Sequence, residues 1–231
     1  MIKVTQQGFE KIADREKFVV VYPDALERRW NDQGDGVDDV GFLLALVDKL
    51  SAEALVDKNR VYLAGISNGG MMAQRMACEQ ADRVAGIATV AGTMPEKLAT
   101  VCKPSRPLPV LIIHGTEDPI VPWAGGAVAG FEDFGTVLSA QATVRLWAER
   151  NQCRGAAIVV QEPDRVPSDG TRVRREQFAD CSALGSVTLV GVEGGGHTWP
   201  GGYQYLPERF IGKTSQDIDA NSLIWNFFRQ K

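Results

Sequence analysis

Five residues, Gly65-Ile66-Ser67-Asn68-Gly69, constrain this 231-residue chain more than any other feature. Before them runs Arg60-Val61-Tyr62-Leu63-Ala64, whose apolar core reads as a buried strand. After them runs Gly70-Met71-Met72-Ala73-Gln74-Arg75-Met76-Ala77-Cys78, which contains no proline and reads as a helix. A serine on a strand-to-helix turn, with glycine two positions away on each side, is the pattern of a nucleophile elbow. The turn is too tight for side chains at its flanks, and glycine removes the Cβ that would collide. Such a turn lifts the serine hydroxyl above a sheet and leaves the Asn68 amide at a helix N-terminus, where it can stabilise an oxyanion.

A serine nucleophile needs a base, and the chain holds two histidines. His114 closes the apolar run Pro109-Val110-Leu111-Ile112-Ile113. His197 lies between glycine clusters in Gly194-Gly195-Gly196-His197-Thr198-Trp199-Pro200-Gly201-Gly202, after the apolar run Val187–Val192. In α/β-hydrolases the order along the chain is serine, acid, histidine, with acid and histidine on loops after later strands. Asp118, four residues beyond His114, and His197 fit that order. The expected triad is therefore Ser67, Asp118 and His197: nucleophile, orienter of the imidazole, and general base then acid. Glu117 competes as the acid, and His114 reads as structural because its use would break the order.

These residues also carry a family resemblance. Trp30-Asn31, Asp38-Asp39-Val40-Gly41-Phe42, Arg60-Val61-Tyr62, Gly65–Met72, Val90-Ala91-Gly92, His114–Pro122 and Gly195–Gly201 are similar to motifs of the polyhydroxybutyrate depolymerase and feruloyl esterase family. The likeness runs from about Phe18 to Phe228. It implies an α/β-hydrolase fold, hydrolysis of carboxylic esters and no cofactor. The implied substrates are feruloyl or acetyl esters of plant cell walls, hydroxyalkanoate polyesters, or short synthetic esters. The resemblance also pairs Cys78 with Cys102 and Cys153 with Cys181, whereas four cysteines alone allow three pairings. Two disulfides and the family together place the chain in a secreted or periplasmic setting, although Met1–Gly8 lacks the apolar stretch of a signal peptide. Two other readings remain open: a serine peptidase of the same fold, and a weakly catalytic, hydrolase-like binding protein.

Composition agrees with one catalytic domain spanning residues 1–231: 44% of the residues are hydrophobic, enough for a substantial core. A net charge of −4 gives no electrostatic case for nucleic acid, and no stretch reaches the ~20 apolar residues of a membrane span. No cysteine pair has the spacing of a zinc site, so no metal is expected. Arg172-Val173-Arg174-Arg175 reads as one solvated strand face. Trp30, Trp123 and Trp199, each on a loop beside a motif, are expected to line an apolar, aromatic cleft for the substrate.

Hydrophobic patterning predicts strands at Phe18–Tyr22, Val61–Ala64, Gly86–Val90, Val110–His114, Ala157–Gln161, Arg172–Phe178 and Val187–Val192. It predicts helices at Val37–Leu50 (introduced by Asp35), Gly70–Glu79, Thr136–Glu149 and Gln216–Phe228, with Gly125–Gly130 as a loop. Strands alternating with helices imply a mostly parallel sheet covered on both faces. One departure from the family stands out. Family members carry an apolar strand ending in His-Gly ahead of the region matching Met1, and its following loop supplies the second oxyanion amide. Without it, Phe18–Tyr22 would face the nucleophile strand across an empty slot. The expectation is a rearranged N-terminal third, or homo-oligomers formed through an open sheet edge.

Overall fold

The computed structural model describes residues 8–53, 56–130, 135–182 and 185–230; most of Met1–Gly8 lies outside them. In chain order the elements are α1 (Glu10–Glu16), α2 (Asp39–Glu53), β1 (Tyr62–Ile66), α3 (Asn68–Glu79), β2 (Gly86–Val90), α4 (Glu96–Val101) and β3 (Val110–Gly115). Then follow β4 (Gly126–Ala127), β5 (Thr136–Val137), α5 (Ala140–Arg150), β6 (Ile158–Gln161), β7 (Arg172–Phe178), β8 (Val187–Glu193), α6 (Glu208–Ile211) and α7 (Ala220–Phe228).

Six strands form one sheet in the order β1-β2-β3-β8-β7-β6. The first four are parallel, and β7 and β6 join antiparallel. Because β1, β2, β3 and β8 run in one direction, their C-terminal ends lie along a single edge of the sheet. The loops that follow them therefore meet there.

Strands β2 and β3 are buried along their whole length, which explains their unbroken apolar runs. Their side chains alternate between two cores. Ile87, Val110, Ile112, Val187 and Leu189 face a layer built from α2, α3, α4 and α5. Ala88, Val90, Leu111, Ile113, Val190 and Val192 face α7 through Ala220, Ile224 and Phe228. One hydrogen-bonded pair is buried within the first layer: Trp147 Nε1 donates to Gln74 Oε1 at 3.0 Å, and Gln74 Nε2 donates to the Gly92 carbonyl at 2.9 Å. The charges of β7 are paired, Arg172 with Asp164, Arg174 with Glu176 and Arg175 with Glu162, but they do not form the single solvated face expected, since consecutive Arg174 and Arg175 fall on opposite faces of the strand and both are half-buried.

Several boundaries differ from the sequence reading. Phe18–Tyr22 is not a strand: the segment is irregular, and Val19, Val21 and Tyr22 are exposed. It has no neighbour to supply a ladder, and it is held by side chains instead. Phe18 stacks on Trp225 at 4.3 Å, and the Tyr22 hydroxyl accepts from the Phe9 N–H at 3.0 Å. Strand β1 is therefore an edge, with no strand on its outer side among the described residues. Helix α2 starts at Asp39 rather than Val37, because Asp38, not Asp35, accepts the amide of Gly41 at 2.8 Å. Residues 136–137 pair with 126–127, so α5 begins only at Ala140, capped by the Ser139 hydroxyl. Helix α7 begins at Ala220 because Asp219 caps it, while the carboxylate of Asp217 turns away to accept the amides of Arg165 and Val166.

Both cystine bridges join the pairs that the resemblance implied. Cys78 of α3 is bonded to Cys102 after α4, and Cys153 after α5 is bonded to Cys181 after β7.

Candidate active site

Ser67 stands between β1 and α3 with φ 54° and ψ −126°, a left-handed backbone that a non-glycine residue rarely adopts. Strain of this kind is concentrated at functional turns. Two hydrogen bonds fix it: Ser67 N–H donates to the Val90 carbonyl at 2.9 Å, and its own carbonyl accepts from Met71 at 3.0 Å. The flanking glycine is obligatory, since a Cβ at Gly65 would sit on the carbonyl of Gly69. The Asn68 N–H opens α3 directly after the serine, where the helix dipole favours negative charge.

Asp118 follows β3 in a tight turn. Its Oδ1 accepts from the amides of Ile120 and Val121, each at 2.8 Å. His197 follows β8, and its Nδ1 lies 2.9 Å from Asp118 Oδ2 and 3.2 Å from Oδ1. Both residues are buried. With Nδ1–H donated to the carboxylate, Nε2 is left as the proton acceptor. Acid turn and base loop are stitched together by Glu117 N–H to the Gly195 carbonyl at 2.9 Å and Gly194 N–H to Thr116 Oγ1 at 3.0 Å. Gly115 permits this approach, because a Cβ there would strike the carbonyl of Gly195, while Gly196 lets the His197 loop lie against the Ile211 carbonyl. The competing acid Glu117 is exposed. Among the described residues Ser67 Oγ makes no hydrogen bond to His197, so the pairing seen is that of Asp118 with His197.

His114 takes a supporting position. It is wholly buried, its Nε2 lies 2.8 Å from the Val121 carbonyl and 3.5 Å from Asp118 Oδ2, and burial lowers its pKa. The neutral ring braces the acid turn from behind.

The three tryptophans separate. Trp30 is half-buried beside α3, and both its backbone polar groups are held by the Asn68 side chain. Trp123 packs 6.0 Å from His114, with Gly191 leaving room for its ring. Trp199 is instead a core residue: it is 4% exposed, and its indole N–H donates to Asn221 Oδ1. It therefore does not face an open cleft.

Two residues were missed from sequence. Tyr205 donates its hydroxyl to the His197 carbonyl at 2.7 Å, with burial pushing its pKa up to about 12. Asp32, 1% exposed, accepts from Asn68 Nδ2 at 2.6 Å, and burial raises its carboxyl to about 6. Neither belongs to a motif of fixed spacing. Among the described residues no group of three or more His, Cys, Asp or Glu side chains is placed to hold a metal.

Fold and site together define an α/β-hydrolase. The phospholipase/carboxylesterase family, Abhydrolase_2, matches residues 31–131. A protein described as "Putative esterase NocK" from Nocardia uniformis subsp. tsuyamanensis is 34% identical over 235 residues, 95% of this chain and 67% of that protein. Feruloyl esterase B of Piromyces equi is 32% identical over 165 residues, covering 69% of this chain and 29% of the esterase. The acetyl xylan esterase of Aspergillus awamori shares the fold, with a TM-score of 0.59 at 16% identity over 82% of this chain and 76% of that one. The chain belongs to the α/β-hydrolase esterases, a family of carboxylic ester hydrolases that includes feruloyl esterases. It spans about two thirds of the first relative and under a third of the second.

Proposed function

We propose that this chain is a serine carboxylesterase working through an acyl-enzyme. Ser67 Oγ attacks the ester carbonyl while His197 Nε2 takes its proton. The tetrahedral oxyanion accepts the Asn68 N–H, and the imidazolium then protonates the departing alkoxide. Water, deprotonated by the same imidazole, releases the acid and restores the serine. Asp118 holds the imidazole in the required tautomer and balances its charge. The observation that carries this reading is the buried Asp118–His197 pair, on loops at the same edge of the sheet as a strained serine.

The substrate class that fits is a phenolic or acetyl carboxylic ester, in line with the names of the relatives and with half-buried Trp30 and Trp123 near the triad. The two disulfides fit an oxidising compartment, and the chain reads as one catalytic domain. The open edge of β1 is where a second copy would add a strand, which the mass in solution tests.

The deciding experiment is labelling with a fluorophosphonate, which reacts only with an activated serine, followed by peptide mapping. The expected outcome is stoichiometric modification of Ser67, absent in Ser67→Ala, together with hydrolysis of p-nitrophenyl esters but not of aminoacyl-p-nitroanilides. A parent chain that neither labels at Ser67 nor hydrolyses any ester overturns the reading.

A further inference from the structure

An oxyanion generally receives two or more hydrogen bonds, and the Asn68 N–H is one donor. In the neighbouring segment the main-chain donors are already committed. Trp30 N–H goes to Asn68 Oδ1 at 2.7 Å, Asn31 N–H to Asp39 Oδ2 at 2.6 Å, and Asp32 N–H to the Trp30 carbonyl at 3.0 Å. One donor remains. The indole N–H of Trp30 has no acceptor among the described residues, and its Nε1 lies 4.0 Å from where a Cβ on Gly69 would stand, beside the first turn of α3.

Its placement is unusually well determined for a loop residue. The Asn68 carboxamide grips both polar groups of the Trp30 backbone, accepting the N–H and donating to the carbonyl at 3.0 Å. The same Nδ2 donates to buried Asp32, which pins the far end of the segment. Phe42 stacks on the indole at 6.3 Å with 22° between the planes and limits its rotation. The residue that provides the first donor through its backbone thus positions Trp30, which carries the second, through its side chain.

We propose that Trp30 Nε1–H is the second oxyanion donor, held in place by Asn68. This rests on the serine-esterase reading above. As the Ser67 Oγ–carbon bond forms, the proton passes to His197 Nε2 and the carbonyl π pair moves onto oxygen. That oxygen accepts from the Asn68 amide and from the Trp30 indole.

The test compares kcat and KM for a p-nitrophenyl ester and its thionoester in the parent and in Trp30→Phe. Sulfur is a weak hydrogen-bond acceptor, so the thionoester reports packing without the donor. The expected result is a fall of about 10²-fold in kcat for the oxygen ester, a nearly unchanged KM and a clearly smaller fall for the thionoester. Incorporation of 3-benzothienylalanine at position 30, which exchanges N–H for sulfur at the same shape, should give the same pattern even if Trp30→Phe folds poorly. Equal losses for both substrates, or a kcat within twofold of the parent in either variant, overturn the proposal. Fluorophosphonate mapping of the parent separates the two failures. Labelled Ser67 with an unaffected variant rejects the Trp30 role alone, whereas an unlabelled Ser67 rejects the nucleophile and this role with it.

Discussion

The hydroxyl of Tyr205 donates to the backbone carbonyl of His197 at 2.7 Å, tying the base to a residue eight positions downstream. The bond holds the backbone of the loop that carries the imidazole. Burial keeps the phenol protonated, with a pKa of about 12, so it remains a donor through the alkaline range. Tyr205→Phe should lower kcat by roughly tenfold, the worth of about one hydrogen bond, with little change in KM. Steady-state kinetics at several pH values would check this, and a variant matching the parent would make Tyr205 dispensable to the base.

The residues of the proposed triad should fail together. Ser67→Ala and His197→Ala are each expected to cost on the order of 10⁴ or more in kcat, because the members act as a unit. Asp118→Asn should be nearly as severe through the wrong imidazole tautomer. His114→Ala should behave differently: it opens a buried cavity and leaves the Val121 carbonyl without its donor. Its cost belongs mainly to stability, ~2–4 kcal/mol, measurable by urea unfolding, with substantial turnover in the fraction that folds.

Asp32 makes stability depend on pH in a specific direction. Its carboxyl is raised by burial to about 6, from an ordinary value of 3.8. Between those values the folded chain holds a proton that the unfolded chain has released, so this group's contribution declines as pH rises from about 4 to about 6. Two units correspond to roughly 3 kcal/mol. Asp32→Asn lacks the titration, so its stability relative to the parent should climb by that order between pH 4 and pH 7. A difference that stays constant across this range would show that Asp32 ionises normally.

The bridge between Cys78 and Cys102 closes a separation of 24 residues around β2 and α4. Cys78→Ser with Cys102→Ser should destabilise the chain by ~3 kcal/mol, read as a lower melting temperature under non-reducing conditions. Activity at low temperature should persist, because neither cysteine touches the triad.

Two parts of the candidate site were legible in the sequence, the strained turn at Ser67 and the contact of Asp118 with His197, because both depend on glycine and on order along the chain. Gly65 and Ser67 gave the strained turn, whereas a Cβ on Gly69 would meet nothing nearer than Trp30 Nε1 at 4.0 Å, and two histidines left a short search for the partner of Asp118. The alternation of strands with helices, with unbroken apolar runs at β2 and β3, gave the parallel core. The Phe18–Tyr22 segment misled because apolar β-branched residues encode a preference for extension, whereas a strand also needs a partner. Trp199 misled because position in a loop says nothing about burial. Tyr205, Asp32 and the clamp of Asn68 on Trp30 were invisible: Asp32 and Trp30 meet Asn68 across 36 and 38 residues, and the bond from Tyr205 back to His197 lies in a loop with no periodic signature.

The edge position of β1 has a kinetic meaning as well. Among the described residues the strand that carries Ser67 into its strained turn pairs on one side only, with β2. Local opening there breaks a single ladder, while β2 and β3 can open only with the sheet as a whole. Amide hydrogens of β1 should therefore exchange faster than those of β3. On heating, the elbow should loosen and activity disappear before the core unfolds, so the enzyme's working limit is set by its outermost parallel strand.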